Sequence, residues 1–445
     1  ELVLRDNPAL YEADDEDSVV TMYLTVRRGT RAEGTDHTWQ EINQYSAYDY
    51  EEMGVDRYQV EAILQVGDDQ GPLAGEVGYG ERVANATVQI RGQTSSRNAQ
   101  KNYKIRLKDN KGTWRGQQTI ALNKHQTDGL RFRNKLGFDL MKGIDQIMSL
   151  RTQFVHLYVK DETEGRDGGF VDYGLYTQVE QLNKKALLAH GLDRNGHLYK
   201  INFFEFFRYE DTIRLATDPQ YDLKAFEKLL EVKGNQDHSK LIRMLEDLNE
   251  YTLDIEEVLD KHFNRENLTY WLAFNILTGN IDTQNRNVYL YSPQNMDTWY
   301  FLPWDLDAFL RVQENQIKGR VDFGSWERGV SNYWGNVLFQ RCLKSSAFRQ
   351  ELDAAILDLK EYLSPERIRG LTDQYRAVTK PYLARQPDIG NASLNPEDYD
   401  QIADGLSDLV EVYYQNYLES LEYPLPFYIG VPYVEDGKLV AEWDI

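Results

Sequence analysis

Apolar and polar residues alternate with a period of two through most of the first 200 positions. Residues 19–26 form the β-rich run Val-Val-Thr-Met-Tyr-Leu-Thr-Val after an acidic stretch at 14–17, so the fold is expected to begin with a strand. Residues 58–66 place Val60, Ala62, Leu64 and Val66 on one face, and residues 86–90 lead into Arg91-Gly92; both read as sheet strands between polar, glycine-rich loops. Between 101 and 107, Lys101, Tyr103, Ile105 and Leu107 share one face, while Asn102, Lys104 and Arg106 take the other. A helix over 130–142, strands over 153–159 and 174–180, a helix over 183–190 stopped by Gly191, and a strand at 198–200 complete this part.

Beyond that point the period becomes helical, over 223–232, 238–248, 255–262 and 266–277. The pattern predicts an α+β fold of two lobes joined near residues 201–215, with a sheet-rich part over 1–205 and a helix-rich part over 206–445. No internal repeat or low-complexity tract interrupts it.

Composition narrows the function classes. The chain has 445 residues, enough for two or three compact units, with 30 tyrosines and 8 tryptophans, which is globular composition. A formal charge of −22 repels polyanions and so argues against nucleic acid and anionic membrane as partners. It favours a cationic partner, such as a basic, Ser-rich protein substrate, and equally fits an acidic surface that serves solubility alone. The single cysteine, Cys342, cannot form an internal disulfide, and no thiolate metal cluster is available. No apolar stretch approaches the roughly 20 residues of a membrane span. No signal-peptide pattern precedes Glu1, and a removed leader would leave the same trace, so compartment stays open.

The densest chemistry lies at 279–291, Gly-Asn-Ile-Asp-Thr-Gln-Asn-Arg-Asn-Val-Tyr-Leu-Tyr, directly after an apolar helix. Asp282 and Asn287 have the spacing that protein kinases place between the catalytic aspartate and a metal-binding asparagine. Such a pair also occurs in turns that merely cap themselves. The continuation is more specific. Residues 288–291 and 298–302 read as a hairpin whose second strand ends in Pro-Trp-Asp305-Leu-Asp307, and in kinases the hairpin after the catalytic loop delivers the Mg²⁺-chelating aspartate. Asp305 occupies that place, and one or two carboxylates with an amide suffice for a hard cation.

Upstream, Arg91-Gly-Gln-Thr-Ser-Ser-Arg97 offers a glycine, small hydroxyls and arginines for phosphate, although a plain β-turn fits as well. Lys101 is the first choice for the lysine on the α- and β-phosphates, with Lys104 in reserve and Glu180 as the carboxylate that would hold it.

The ordered series Arg91-Gly92, Lys101-Asn-Tyr-Lys104, Gly174-Leu-Tyr176 with Glu180, Leu198-Tyr-Lys200, Gly279-Asn-Ile-Asp282 and Trp304-Asp-Leu-Asp307 resembles the CotH kinase family over roughly residues 85–310. That resemblance implies a divergent, bilobal protein-kinase-like fold, ATP with Mg²⁺ or Mn²⁺ as cofactors, and phosphorylation of serines in spore coat or secreted proteins. It makes Asp282 the catalytic aspartate and Asp305 the metal ligand, and it places Tyr199 and Trp299 where an aromatic sandwich would take adenine. The phosphate loop departs from the family's usual Asn-Ser-Ser after Arg-Gly, and residues 1–80 and 311–445 carry no assignable motif. Two other readings stay open: a non-catalytic coat or extracellular assembly module, and a metal-assisted hydrolase, which the lack of a histidine near Asp305 weakens.

Overall fold

Strands with one apolar face bury it by closing on themselves. The computed structural model describes residue 4 and residues 6–165, 168–320, 327–422, 428–429, 432–441 and 443–444. Its first strands are β1 (Val19–Arg27), β2 (Val60–Asp68), β3 (Gly71–Pro72), β4 (Ala86–Arg91), β5 (Asn102–Leu107), β6 (Thr119–Asn123), β7 (Thr152–Asp161) and β8 (Val171–Glu180). They pair in the order β1-β7-β8-β6-β5-β4-β2, and β2 returns to β1, which closes a barrel; β3 merely extends the β2 turn. Only the β1–β7 pairing in this barrel is parallel. Closure removes the edges an open sheet would expose.

The predicted alternation fills the lumen: Met22, Leu24, Val60, Leu64, Val88, Ile90, Tyr103 and Ile105 belong to one core. Trp39, Ile42 and Tyr50, from α1 (Trp39–Gln44) and α2 (Ala47–Met53), join it. Each of these short helices opens on a capping box, Thr38 with Glu41 and Ser46 with Asp49, which satisfies amides that so short a helix leaves bare. On the outer wall, Phe154, Leu175 and Val179 enter a second core shared with α3 (Arg133–Met141) and the helical region.

That region carries its own sheet, in the order β10-β9-β11-β12, from β9 (His197–Asn202), β10 (Leu230–Val232), β11 (Arg286–Ser292) and β12 (Tyr300–Pro303). Every pairing is antiparallel. Around it stand α4 (Lys184–Ala189), α5 (Leu223–Phe226), α6 (Ser239–Asn249), α7 (Ile255–His262), α8 (Arg265–Leu277), α9 (Val312–Ile317), α10 (Val337–Lys344), α11 (Ser346–Tyr362), α12 (Pro365–Leu383), α13 (Pro396–Gly405) and α14 (Leu409–Glu422). The helix expected over 223–232 is instead the short α5 followed by β10. Glu231 and Val232 pair with Lys200 and Tyr199, so ladder hydrogen bonds outweigh local propensity there.

The fold is thus α+β, sheet-rich toward the N-terminus and helical toward the C-terminus. Residues 197–202 side with the second sheet, and the outer wall of the barrel at β4 and β5 turns toward it.

Candidate functional site

α8 is buried on nearly every side, so its C-terminus is a fixed point from which a loop can be aimed. Gly279 follows at φ +61°, where an added Cβ would lie 2.2 Å from the Tyr413 ring. The loop is then tied on several sides. Asn280 Nδ2 donates to Asn275 (2.9 Å), Thr283 Oγ1 to the Asn280 carbonyl (2.8 Å), Asn332 Nδ2 to the Ile281 carbonyl (3.0 Å) and Asn336 Nδ2 to the Gln284 carbonyl (2.8 Å). Asp282 stands out from these anchors with its side chain 38% exposed, and its Oδ1 accepts from Arg286 Nη2 at 2.7 Å.

The hairpin registers Val288 against Pro303, so Asn287 and Asp305 leave it at the same open end. Both hold left-handed backbone, φ +59° and +49°, a conformation that Asn and Asp tolerate better than other side chains. The Asp305 turn is pinned from α3: the Leu306 amide donates to Asn134 Oδ1 at 2.8 Å, and Gly137 leaves the space that Leu306 fills.

Asp305 and Asp307 face each other. Burial, and then the Asp307 charge, push the Asp305 carboxyl up to about 8, because Lys200 and Arg91 only partly offset them. Lys200 Nζ lies 5.5 Å and Arg91 Cζ 5.8 Å from the Trp304 ring centroid, so the indole carries two cations. Arg91 donates to Asn123 Oδ1. Lys104 lies in the same field: burial, then Lys233, Arg91, Arg106 and Arg57, lower its pKa. Glu231 is the carboxylate among them, 2.8 Å from Lys233 and 3.8 Å from Lys200.

Four groups of residues expected from the sequence to line the site have these surroundings in the structure. Lys101 precedes β5, and its Nζ donates to the Ser96 carbonyl at 2.6 Å; Lys104, the reserve, is the lysine in the cation cluster. Glu180 holds no lysine. It is buried against Arg151 (2.5 Å) and His190 (2.7 Å), which keep it ionised against the cost of burial, while the carboxylate beside a cleft lysine is Glu231. Tyr199 and Trp299 are buried here, with ring centroids 6.0 Å apart at 40°, and the Tyr199 hydroxyl is engaged by His238 Nδ1 at 2.6 Å. In the expected phosphate loop, Ser95 Oγ accepts from Asn102, and Ser96 Oγ accepts from the Ala47 amide at the start of α2 and donates to the Gln93 carbonyl. Of that motif, Arg91 reaches the cation cluster.

Sequence reasoning named Lys200 only as the end of the Leu198-Tyr-Lys200 motif, without a role, and did not single out Lys233, Glu231 or Arg57. The register Lys200↔Glu231 would have exposed this group, but it depends on a strand read as helix.

The donor set fits a hard cation. Asp305 and Asp307 face each other with Lys200 and Arg91 nearby, and the Asn287 backbone leaves the hairpin at the same end. No group of three His, Cys, Asp or Glu side chains among the described residues is placed to hold a metal ion.

Residues 88–417 match the family described as CotH kinase protein. Inner spore coat protein H of Bacillus subtilis is 24% identical over 336 residues, covering 72% of this chain and 87% of that protein. The crystal structure of the Helicobacter pylori proinflammatory kinase CtkA aligns over 72% of this chain and 94% of that one, with 10% identity and a TM-score of 0.32.

Proposed function

The chain belongs to the CotH kinase protein family, and on that premise we propose that it transfers the γ-phosphoryl group of ATP, with Mg²⁺ or Mn²⁺, to serine or threonine hydroxyls of a protein. The observation that carries this reading is a local inversion of charge. In a chain of net charge −22, Lys200 and Arg91 stand by Asp305, which faces Asp307, and Lys104, Lys233 and Arg57 lie in the field of these two cations with Glu231 among them. A cation cluster so placed is suited to a triphosphate, and the paired carboxylates to its metal.

In this reading Asp282 accepts the proton of the attacking hydroxyl. Arg91 and Lys200, fixed on Trp304, neutralise phosphate charge together with Lys104. Asn287 and Asp305, with Asp307 beside it, would hold the cation, which when bound would offset phosphate charge. Positioning and electrostatics supply most of such catalysis. The relative from Bacillus supports a spore coat location, and the acidic surface supports a basic acceptor protein. No helix among the described residues is long and apolar enough to cross a membrane.

The test is labelled phosphate transfer from ATP to a protein acceptor, alongside a Mg²⁺-ATP thermal shift. Asp282→Ala is expected to remove transfer and keep the shift; Asp305→Ala is expected to weaken both. Transfer by Asp282→Ala at the wild-type rate would refute the assignment of the base. Absence of any shift in the wild type would favour a non-catalytic assembly module.

A further inference from the structure

The catalytic loop holds one more cation, to which the roles above give no task. Arg286 opens β11 opposite Asn202, and its Nη2 donates to Oδ1 of Asp282 at 2.7 Å. Its Nε is buried and has no acceptor. Buried donors are almost always paired in native proteins, so an orphaned N–H on a guanidinium calls for a partner that arrives with a ligand. The guanidinium carbon lies 5.2 Å from the ring centroid of Phe203. That ring is 53% exposed and its residue has φ +53°, a region that bulky side chains avoid. The strained position is held from the loop itself: the amide of Phe204 donates to the Asn285 carbonyl, and Asn285 Nδ2 donates to Glu205 at 2.9 Å. Residues kept in sparsely populated backbone regions concentrate at ligand clamps. Here the strain keeps an apolar ring out in solvent, where its neighbour is a cation already paired with the proposed base.

We propose that Arg286 is a further catalytic residue, contacting the phosphoryl group in transfer, and that Phe203 is a positioning residue that fixes the plane of its guanidinium. The proposal rests on the phosphotransfer reading. In the step itself, the acceptor oxygen bonds to the γ-phosphorus while the bond from that phosphorus to its bridging oxygen breaks. The electron pair leaves with ADP, and the acceptor proton passes to Asp282. Arg286 gives up no proton. One N–H stays on the carboxylate that receives the proton, and the free Nε–H meets the charge on the equatorial phosphoryl oxygens, so base and electrophile are held by one rigid fork. A guanidinium does this and an ammonium does not, since a lysine cannot present two donors in a fixed plane.

The alternative is that Arg286 merely steadies Asp282, and two readouts separate the two roles. The first is the division between kcat and Mg²⁺-ATP affinity in Arg286→Gln and Arg286→Lys. The second is the thermal shift given by Mg²⁺, ADP and aluminium fluoride, which imitates the phosphoryl group in flight. Arg286→Gln is expected to lower kcat about 100- to 1,000-fold, with Mg²⁺-ATP affinity changed about threefold or less, and to lose the extra shift that aluminium fluoride adds to Mg²⁺-ADP. Arg286→Lys is expected to recover little of it. Phe203→Ala is expected to cost about tenfold in kcat, with Phe203→Tyr restoring it. An unchanged aluminium fluoride shift in Arg286→Gln, or full activity in Arg286→Lys, would overturn the proposal while inactivity of Asp282→Ala left the phosphotransfer reading intact. Wild-type protein that transfers no phosphate would remove both.

Discussion

Asp139 and Asp305 are two buried aspartates in one protein whose environments drive them in opposite directions. Burial alone would raise both. Asp139, on α3, receives Lys135 Nζ (2.9 Å), Thr152 Oγ1 (2.8 Å) and the Tyr375 hydroxyl (2.5 Å), with Lys142 Nζ at 3.0 Å, and these lysines hold its carboxyl well below the usual range. Asp305 meets another carboxylate, and its two cations do not make up the difference, so it rises to about 8. Its neighbour across the hairpin end, Asn287, shares its left-handed backbone. A cluster that holds the fold closes its own hydrogen bonds. A cluster that awaits a ligand leaves repulsion and strain for that ligand to relieve.

The comparison breaks most sharply under charge removal. Asp139→Asn leaves Lys135 and Lys142 without their main counter-charge inside the protein and is expected to destabilise it by about 3–5 kcal/mol. Asp305→Asn removes a buried carboxyl that the folded protein must keep protonated at neutral pH and is expected to stabilise the nucleotide-free protein by about 1–2 kcal/mol, as loss of a strained functional group often does. Denaturant unfolding of the two variants measures both, and a change of the same sign in each would end the distinction.

The pH response separates the two groups next. The folded state keeps a proton on Asp305 between its ordinary range and about 8, so this group's contribution to stability falls as pH rises through that window. Asp139 is depressed, so its contribution is present above the ordinary carboxylate pKa and is lost as pH falls below it. Glu16, beside Asp139, is raised to about 7 by burial and by the Asp139 charge, and it declines in the same direction as Asp305. Thermal melts across pH are therefore expected to show an alkaline decline that Asp305→Asn reduces without abolishing. An unchanged decline would show that Asp305 is ionised throughout.

Lysines sharpen the contrast at smaller scale. Lys200→Met and Lys104→Met are each expected to weaken Mg²⁺-ATP binding about tenfold or more, the scale of a charged hydrogen bond. Lys101→Met, removing a lysine that bonds the Ser96 carbonyl, is expected to stay within about twofold of wild type, since surface substitutions away from a site are nearly neutral. Calorimetric titration of the three variants decides, and equal losses would restore Lys101 to the cleft.

The sequence made the strands and the chemistry of the hairpin legible because both are local. Period-two alternation placed Tyr103, Ile105 and Leu107 on the buried face, and the spacing from Asp282 through Asn287 to Asp305 lies within one loop-and-hairpin unit. Closure of the barrel was not legible, since it depends on β1 meeting both β2 and β7, the latter more than a hundred residues away. The cation cluster was hidden for the same reason. Lys200 and Glu231 come together only when β9 and β10 pair, and the run containing Glu231 looks helical in isolation. Lys101 and Lys104 stand on opposite faces of one alternating segment, so the choice between them required knowing which face is the outer wall.

Tyr199 and Trp299 give the smallest expected effect and the finest form of the contrast. Both project into the second core with no exposure, and Tyr199 closes a hydrogen bond to His238, whose ring stacks on Phe226 with centroids 4.2 Å apart. Tyr199 therefore resembles Asp139: a buried polar group whose partner is already supplied by the protein. Tyr199→Phe is expected to cost about 1 kcal/mol of stability through that one hydrogen bond. It should leave Mg²⁺-ATP affinity unchanged, and Trp299→Phe should likewise lower stability, by the volume it removes, without touching affinity. A nucleotide bound between the two rings would instead lose affinity in both variants, so titration of ATP against Tyr199→Phe and Trp299→Phe tests whether this core opens to admit a base.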